Sequence, residues 1–264
     1  MIELKDLSVT FGRGTPMETP ALRGISLAIP SGQFVTVIGS NGAGKTTLLN
    51  VLSGEVTPES GQVLIDEADV TSWPTHKRAR LAARVFQDPM AGSCANLTIA
   101  ENLALAGARG RARRFGGAVT KDLRAEAKDR LARLGLGLED RLDDPMELLS
   151  GGQRQAVSLL MATMNPMKIL LLDEHTAALD PKIGAFVVDL TRAIVGERRL
   201  TTLMVTHSMR QALDVGTRTV MLHEGQVVLD VADDERRGLK VEDLLHMFEK
   251  VRGQELDDDA LLLG

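Results

Sequence analysis

The chain has 264 residues, with 31 lysines and arginines against 36 aspartates and glutamates for a net charge of −5, and it is 44% hydrophobic and 25% charged. This is globular composition, long enough for one large domain or two small ones, and its acidity argues against a nucleic-acid protein that relies on overall positive charge. One cysteine excludes an internal disulfide and fits a reducing compartment, while six phenylalanines, one tryptophan and no tyrosine exclude tyrosine chemistry and disfavour a stacking platform for single strands.

In chain order, Ile2–Phe11 alternates apolar and polar residues and predicts a strand. It shows no charged-then-apolar leader, so no signal peptide is expected. Leu22–Ile29 and Gln62–Ile65 alternate in the same way between Gly and Pro, and with the first strand they predict an antiparallel section. Phe34–Ile38 is a continuous apolar run of the kind buried in parallel sheets. No apolar run reaches the roughly 20 residues that span a bilayer, so any membrane role is expected to be peripheral.

Directly after Phe34–Ile38 stands Gly39-Ser40-Asn41-Gly42-Ala43-Gly44-Lys45-Thr46, a full match to the phosphate-loop pattern. It opens a helix with Leu48, Leu49 and Leu52 on one side. Glycines let the backbone turn tightly enough for consecutive N–H groups to converge on phosphate oxygens, and a helix N-terminus adds a favourable dipole. Lys45 is expected to bridge β- and γ-phosphates and the Thr46 hydroxyl to reach Mg²⁺, with Thr47 counted among the nucleotide-binding residues.

From Pro89 to Asn165 β-like runs are missing and helical spacing takes over, as in Leu123, Ala127, Leu131 and Leu134, which predicts a mostly helical insertion. Within it Gly107–Gly117 sets Arg109, Arg111, Arg113 and Arg114 among glycines. A solvated loop is the expected role, with a partner or anionic lipid surface as the alternative. Leu149-Ser150-Gly151-Gly152-Gln153 precedes the helical run Arg154–Met164 and makes a second helix terminus suited to anions.

Ile169–Leu172 then delivers Asp173 and Glu174 at a strand's C-terminal end, where open α/β sheets bind ligands. Asp173 is expected to hold Mg²⁺ through water, and Glu174 to orient or deprotonate an attacking water. The alternative is a pair of strand-end acids satisfied by a nearby Lys or Arg. Strands at Leu203–Thr206 and Thr219–Leu222 alternate with helical patterns at Ile183–Val195 and Met209–Val215, which predicts an α/β sheet with helices on both faces. Val241–Val251 predicts an amphipathic helix, and residues 257–264 a frayed acidic tail.

The phosphate loop, the Leu-Ser-Gly-Gly-Gln pentapeptide and the strand-end acids, in this order, resemble the nucleotide-binding subunit of an ATP-binding cassette (ABC) transporter, from the first strand to about Val251. The resemblance implies an α/β fold: a P-loop NTPase, RecA-like core with an antiparallel β section and a helical subdomain insertion. It implies a single ATPase domain over 1–252, with 1–88 and 166–252 as catalytic core and β section, 89–165 as helical subdomain, and 253–264 as an acidic tail. Gln87, in Val85-Phe86-Gln87-Asp88-Pro89, matches a glutamine loop that touches Mg²⁺ or water and reports to the permease. Asp180, in Ala178-Leu179-Asp180, matches an aspartate that crosses the dimer interface, and His207, after Val205-Thr206, matches the switch histidine on the γ-phosphate. Phe11 stands where the family places an aromatic, usually tyrosine, against adenine; a core phenylalanine is the competing role.

Catalysis is thus expected from Glu174, His207, Gln87 and Lys45, and Mg²⁺ binding from Thr46, Gln87 and Asp173. ATP binding is expected from Phe11, residues 39–47, Ser150, Gly151, Gly152, Gln153 and Asp180. In the family two subunits associate head to tail, so that Ser150, Gly151 and Gly152 of one close over ATP held by Lys45 of the other. The implied partners are a second copy, integral membrane permease subunits and, indirectly, an extracytoplasmic substrate-binding protein, with no nucleic acid. The implied location is the cytoplasmic face of the plasma (inner) membrane.

One departure is His175, where the family generally has proline after the glutamate. Histidine replaces a fixed φ with an N–H and a titratable ring; a local structural role is expected, and tuning of Glu174 is the alternative. The run Asp-Glu-His-Thr-Ala-Ala-Leu-Asp is similar to a bacterial importer subgroup whose members carry aromatic amino-acid labels. An exporter ATPase and a non-transport cassette ATPase are the competing readings. Leu97-Thr98-Ile99-Ala100-Glu101-Asn102 resembles the transporter pattern where a permease helix docks, and the chain shows neither fused membrane helices nor a second cassette.

Overall fold

A computed structural model describes residues 1–110 and 117–252; Arg111, Arg113, Arg114 and the acidic tail lie outside the described residues. Along the chain run β1 (Ile2–Phe11), β2 (Thr19–Ile29), β3 (Phe34–Ile38), α1 (Lys45–Ser53), β4 (Ser60–Ile65), β5 (Ala68–Asp69), α2 (Thr75–Arg78), β6 (Ala82–Val85), α3 (Ile99–Gly107) and α4 (Lys121–Ala132). After a short 3-10 turn at Met146–Leu148 come α5 (Gly151–Ala162), β7 (Ile169–Asp173), α6 (Pro181–Arg198), β8 (Thr202–Val205), α7 (Met209–Val215), β9 (Arg218–His223), β10 (Gln226–Ala232), α8 (Asp233–Arg236) and α9 (Val241–Arg252). Two compact units result, Met1–Arg78 with the residues after Arg198, and Ala79–Arg198. The architecture is the mixed α/β fold that the sequence predicts, with both antiparallel and parallel pairing.

In the first unit β2, β1, β4 and β5 form an antiparallel sheet. Ile2, Leu4, Leu7 and Val9 of β1 are buried, and the break in alternation falls at Asp6, where φ is 51° and the register shifts. This bulge returns Leu7 to the buried face. The second sheet section places β3 between parallel β8 and β9, with Val35 opposite both Leu203 and Arg218, and β10 antiparallel to β9. All five residues of β3 are buried, which explains a strand without alternation. The buried Thr36 hydroxyl is satisfied by the Ala212 and Arg218 carbonyls. The sequence reading passes over β10, because four of its seven residues are only half-buried and two are exposed, and it shows neither clean alternation nor a long apolar run.

Helix α1 buries Leu48, Leu49, Val51 and Leu52 completely, each worth about 1.5–3 kcal/mol relative to exposure. It ends at Gly54, whose φ of 78° suits a left-handed cap. Beneath that end lies Arg78, fully buried, donating to the carbonyls of Val51 at 3.2 Å and Leu52 at 3.1 Å and to that of Val70. Burial pushes its guanidinium down to about 10, so it remains a cation at neutral pH and complements the helix dipole. The chain's one tryptophan, Trp73, packs its carbonyl close to Gly54 and lies under the Lys77 ammonium, 5.2 Å from the ring centre.

In the second unit β6 and β7 pair in parallel, with Ala82 opposite Ile169 and Val85 opposite Leu172. Helices α3, α4 and α5 share a core that includes Ile99, Leu103, Leu131, Met146, Val157 and Leu160. Thr98 caps α3 in a reciprocal pair with Glu101. Arg109 departs from the expected solvated loop: its guanidinium donates to the Ala162 carbonyl at 2.9 Å, and burial lowers its pKa. Among the described residues no helix is long and apolar enough to cross a membrane.

Candidate active site

The phosphate-loop residues are brought together by β3 and α1. Gly39 has φ 149° and Gly44 φ 98°. A Cβ at Gly39 would lie 2.2 Å from the Leu222 carbonyl oxygen, and one at Gly44 2.4 Å from that of Ala21. Both obstacles are backbone, so only glycine fits at either position. No side chain caps α1, and its first N–H groups sit beside an exposed crest of Asn41 and Gly42. Lys45 is 5% exposed and donates to the carbonyls of Gly39 at 2.7 Å and Ser40 at 3.0 Å. Thr46 is exposed beside it and Thr47 half-buried. A tight glycine cradle, a lysine at its centre and an uncapped helix start fit a polyphosphate.

Two further residues of this unit follow from strand ends. His207 leaves β8 just after Thr206, whose N–H donates to the Val37 carbonyl at 3.1 Å. Its base is therefore fastened to the strand that carries the phosphate loop. Ser208 then caps α7, accepting from Gln211 N–H at 3.2 Å. Phe11 ends β1 and is 46% exposed, so the competing role of a core phenylalanine does not hold.

In the second unit β7 ends on the acid pair. Asp173 is buried and takes an ion pair from Arg84 at 2.6 Å. Asp173 thus has an arginine partner of the kind the alternative expects, on one of its two carboxylate oxygens. The sequence reading missed Arg84, whose guanidinium also lies 4.7 Å from the centre of the Phe86 ring. Its signal is an arginine inside a four-residue apolar strand. Glu174 follows, half-buried, with φ 44°, a conformation worth of order 1–3 kcal/mol in strain for a non-glycine residue.

His175 is buried, with Nε2 3.0 Å from Thr191 Oγ1. The Thr191 hydroxyl proton goes to the Val187 carbonyl at 2.8 Å, so Nε2 carries the proton in the histidine contact. Burial pushes the imidazole down to about 4, from an ordinary 6.5. The unfolded chain takes up a proton near pH 6.5 that the folded chain refuses until about pH 4. This contribution to stability is full above pH 6.5 and is lost as pH falls towards 4, by up to ~1.4 kcal/mol per pH unit. Urea midpoints at pH 7 and pH 5 are expected to differ more for the native chain than for His175→Gln. Equal differences would contradict a neutral buried ring.

The pentapeptide starts α5. Ser150 caps it reciprocally: its Oγ accepts from Gln153 N–H at 3.3 Å and its N–H donates to Gln153 Oε1 at 3.1 Å. A Cβ at Gly152 would lie 2.0 Å from Ile183 Cγ2, and one at Gly151 3.3 Å from Leu179 Cδ2. The glycines therefore let the starts of α5 and α6 approach closely, bringing the pentapeptide beside the Asp180 loop. Asp180 Oδ1 accepts from Ile183 N–H at 3.1 Å and so caps α6. Gln87 is exposed just beyond β6. Gln155, unremarked in the sequence reading and fully buried, donates to the Phe86 carbonyl at 3.1 Å and fixes the backbone next to it. Among the described residues no three His, Cys, Asp or Glu side chains form a metal cluster; Mg²⁺ carried by ATP needs only one or two protein ligands beside phosphates and water.

The family description ABC transporter matches residues 22–177. The chain is 44% identical over 252 residues to the tyrosine transport ATP-binding protein of Clostridioides difficile (strain R20291), covering 94% of this chain and 99% of that protein. It is 34% identical over 240 residues to the methionine import ATP-binding protein MetN of Caulobacter vibrioides, covering 89% of this chain and 68% of the relative. Among solved structures it resembles a dimeric post-hydrolysis ATP-binding cassette bound to ADP and Pi, with a TM-score of 0.75, 30% identity, and 90% of this chain and 100% of the other covered.

Proposed function

This chain belongs to the ABC transporter family, as an ATP-binding subunit that hydrolyses ATP to drive transport, and we propose that it works as a homodimer on a separate membrane permease to take up an amino acid. The observation that carries this reading is the match to the tyrosine transport subunit, which leaves almost no part of either chain uncovered. It makes an aromatic amino acid the favoured cargo.

In this reading Lys45 and the loop amides hold the ATP phosphates. Thr46, Asp173 and Gln87 are the magnesium-side groups. Magnesium bound with ATP neutralises charge that develops on the phosphate oxygens. Glu174 orients the attacking water and takes its proton, and His207 steadies the γ-phosphate. Phe11 offers an exposed ring at a strand end to adenine. Ser150, Gly151 and Gly152 of one copy present the start of α5 to the nucleotide of the other. Gln153 holds the cap and Asp180 stands at the subunit contact.

A groove of about 480 Å³ in the second unit, lined among others by Phe86, Ala91, Cys94, Asn102, Leu105 and Met161, suits a cytoplasmic helix of the permease. The subunit then resides peripherally at the cytoplasmic face of the inner membrane. Isolation of the complex is expected to yield the permease and its extracytoplasmic binding protein, and calorimetry on that binding protein is expected to show tyrosine or another aromatic amino acid as ligand. Exclusive binding of a sugar or metal ion would overturn the cargo. Recovery of the subunit without any membrane protein would overturn the permease.

A further inference from the structure

We propose that His175 is a positioning residue, which keeps Glu174 in its working orientation by fastening the end of β7 to the body of α6. The inference rests on the assignment of Glu174 to water activation. Glu174 stands between two buried neighbours, each tied by a polar contact. Asp173 is held by Arg84 at 2.6 Å, from 89 residues away, and His175 by Thr191 at 3.0 Å, from 16 residues away. The Thr191 hydroxyl in turn donates to the Val187 carbonyl one turn back along α6. The second anchor is therefore a rigid helix rather than a loop.

The need for two anchors lies in the backbone. Glu174 has φ 44°, a region that a long side chain occupies only where its surroundings over-determine it. Proline at 175 would bias Glu174 towards extended conformations. Histidine removes that bias, and its side chain supplies the restraint instead. Beyond it, Ala177 N–H donates to the Glu174 carbonyl at 2.9 Å, and Asp180 caps α6. The segment is thus tied at 175 and at 180, with Glu174 just outside the first tie. A rotation that relaxed φ at Glu174 would redirect its Cα–Cβ bond and carry the carboxylate with it.

The test is a double-mutant cycle on the full chain, with kcat and KM for MgATP measured in each variant. His175→Ala is expected to lower kcat by about 10- to 100-fold, as misplacement of a reacting group does, with KM for ATP within about twofold of native. His175→Gln, whose amide N–H replaces the Nε2 donor, is expected to restore most of kcat. Thr191→Val removes the acceptor with little change of shape and is expected to reproduce the kcat loss should His175→Ala fold poorly. In a Glu174→Gln background, His175→Ala is expected to change residual turnover by less than about twofold, because its effect passes through the carboxylate. Equal losses in both backgrounds, or full turnover in well-folded His175→Ala or Thr191→Val, would overturn the positioning role alone. Near-native turnover in Glu174→Gln would overturn the Glu174 assignment, and the positioning role with it.

Discussion

Lys45→Ala is expected to lower ATP turnover by at least about 100-fold, the scale on which a single aimed charge acts in a phosphoryl-transfer site. The Lys45 ammonium is buried under a loop whose Gly39 and Ser40 carbonyls hold it at 2.7 and 3.0 Å. Its place in the loop is thus set by two backbone carbonyls, and alanine removes both the charge and the group that organises them. Weaker nucleotide binding, read by calorimetry, should accompany the loss of turnover. The urea midpoint separates this from unfolding, since the apolar face of α1 stays intact. Turnover near native would remove the phosphate-loop assignment.

Glu174→Gln is expected to lower kcat by about 10²- to 10⁴-fold, the contribution of a positioned general base, while nucleotide binding persists. The substitution is nearly isosteric, and the groups assigned to phosphate binding are untouched. A chain that binds ATP and cannot split it should accumulate as an ATP-bound dimer. Sizing chromatography with ATP and Mg²⁺ checks this, and elution solely as monomer would contradict the homodimer. The combination of retained binding and lost turnover is the result that distinguishes Glu174 from Lys45.

The parts of this architecture legible in the sequence are those written in local order. The glycines at 39 and 44 announce a cradle because the backbone there admits nothing else, and Phe34–Ile38 announces a buried strand because both its faces are covered. Ser150 and Gln153 mark a helix start within four residues. What escapes the sequence is pairing at long range. Nothing near Asp173 names Arg84 as its partner, 89 residues earlier, and nothing near His175 names Thr191. Strand β6 is hidden for the same reason: its Arg84 reads as polar until its ion pair is seen. The double use of Gly152, as an expected nucleotide contact and as the spacer that admits Ile183, also needs coordinates, because the obstacle comes from another helix.

Trp73 has an optical consequence. With no tyrosine in the chain and one tryptophan, its ultraviolet emission comes almost wholly from one indole. The Trp73 carbonyl lies close to Gly54, at the far end of α1 from the phosphate loop, and the ring lies under the Lys77 ammonium. The native protein therefore carries a single-site tryptophan fluorophore, with no tyrosine donor, whose backbone lies beside the C-terminal cap of the helix that begins at Lys45.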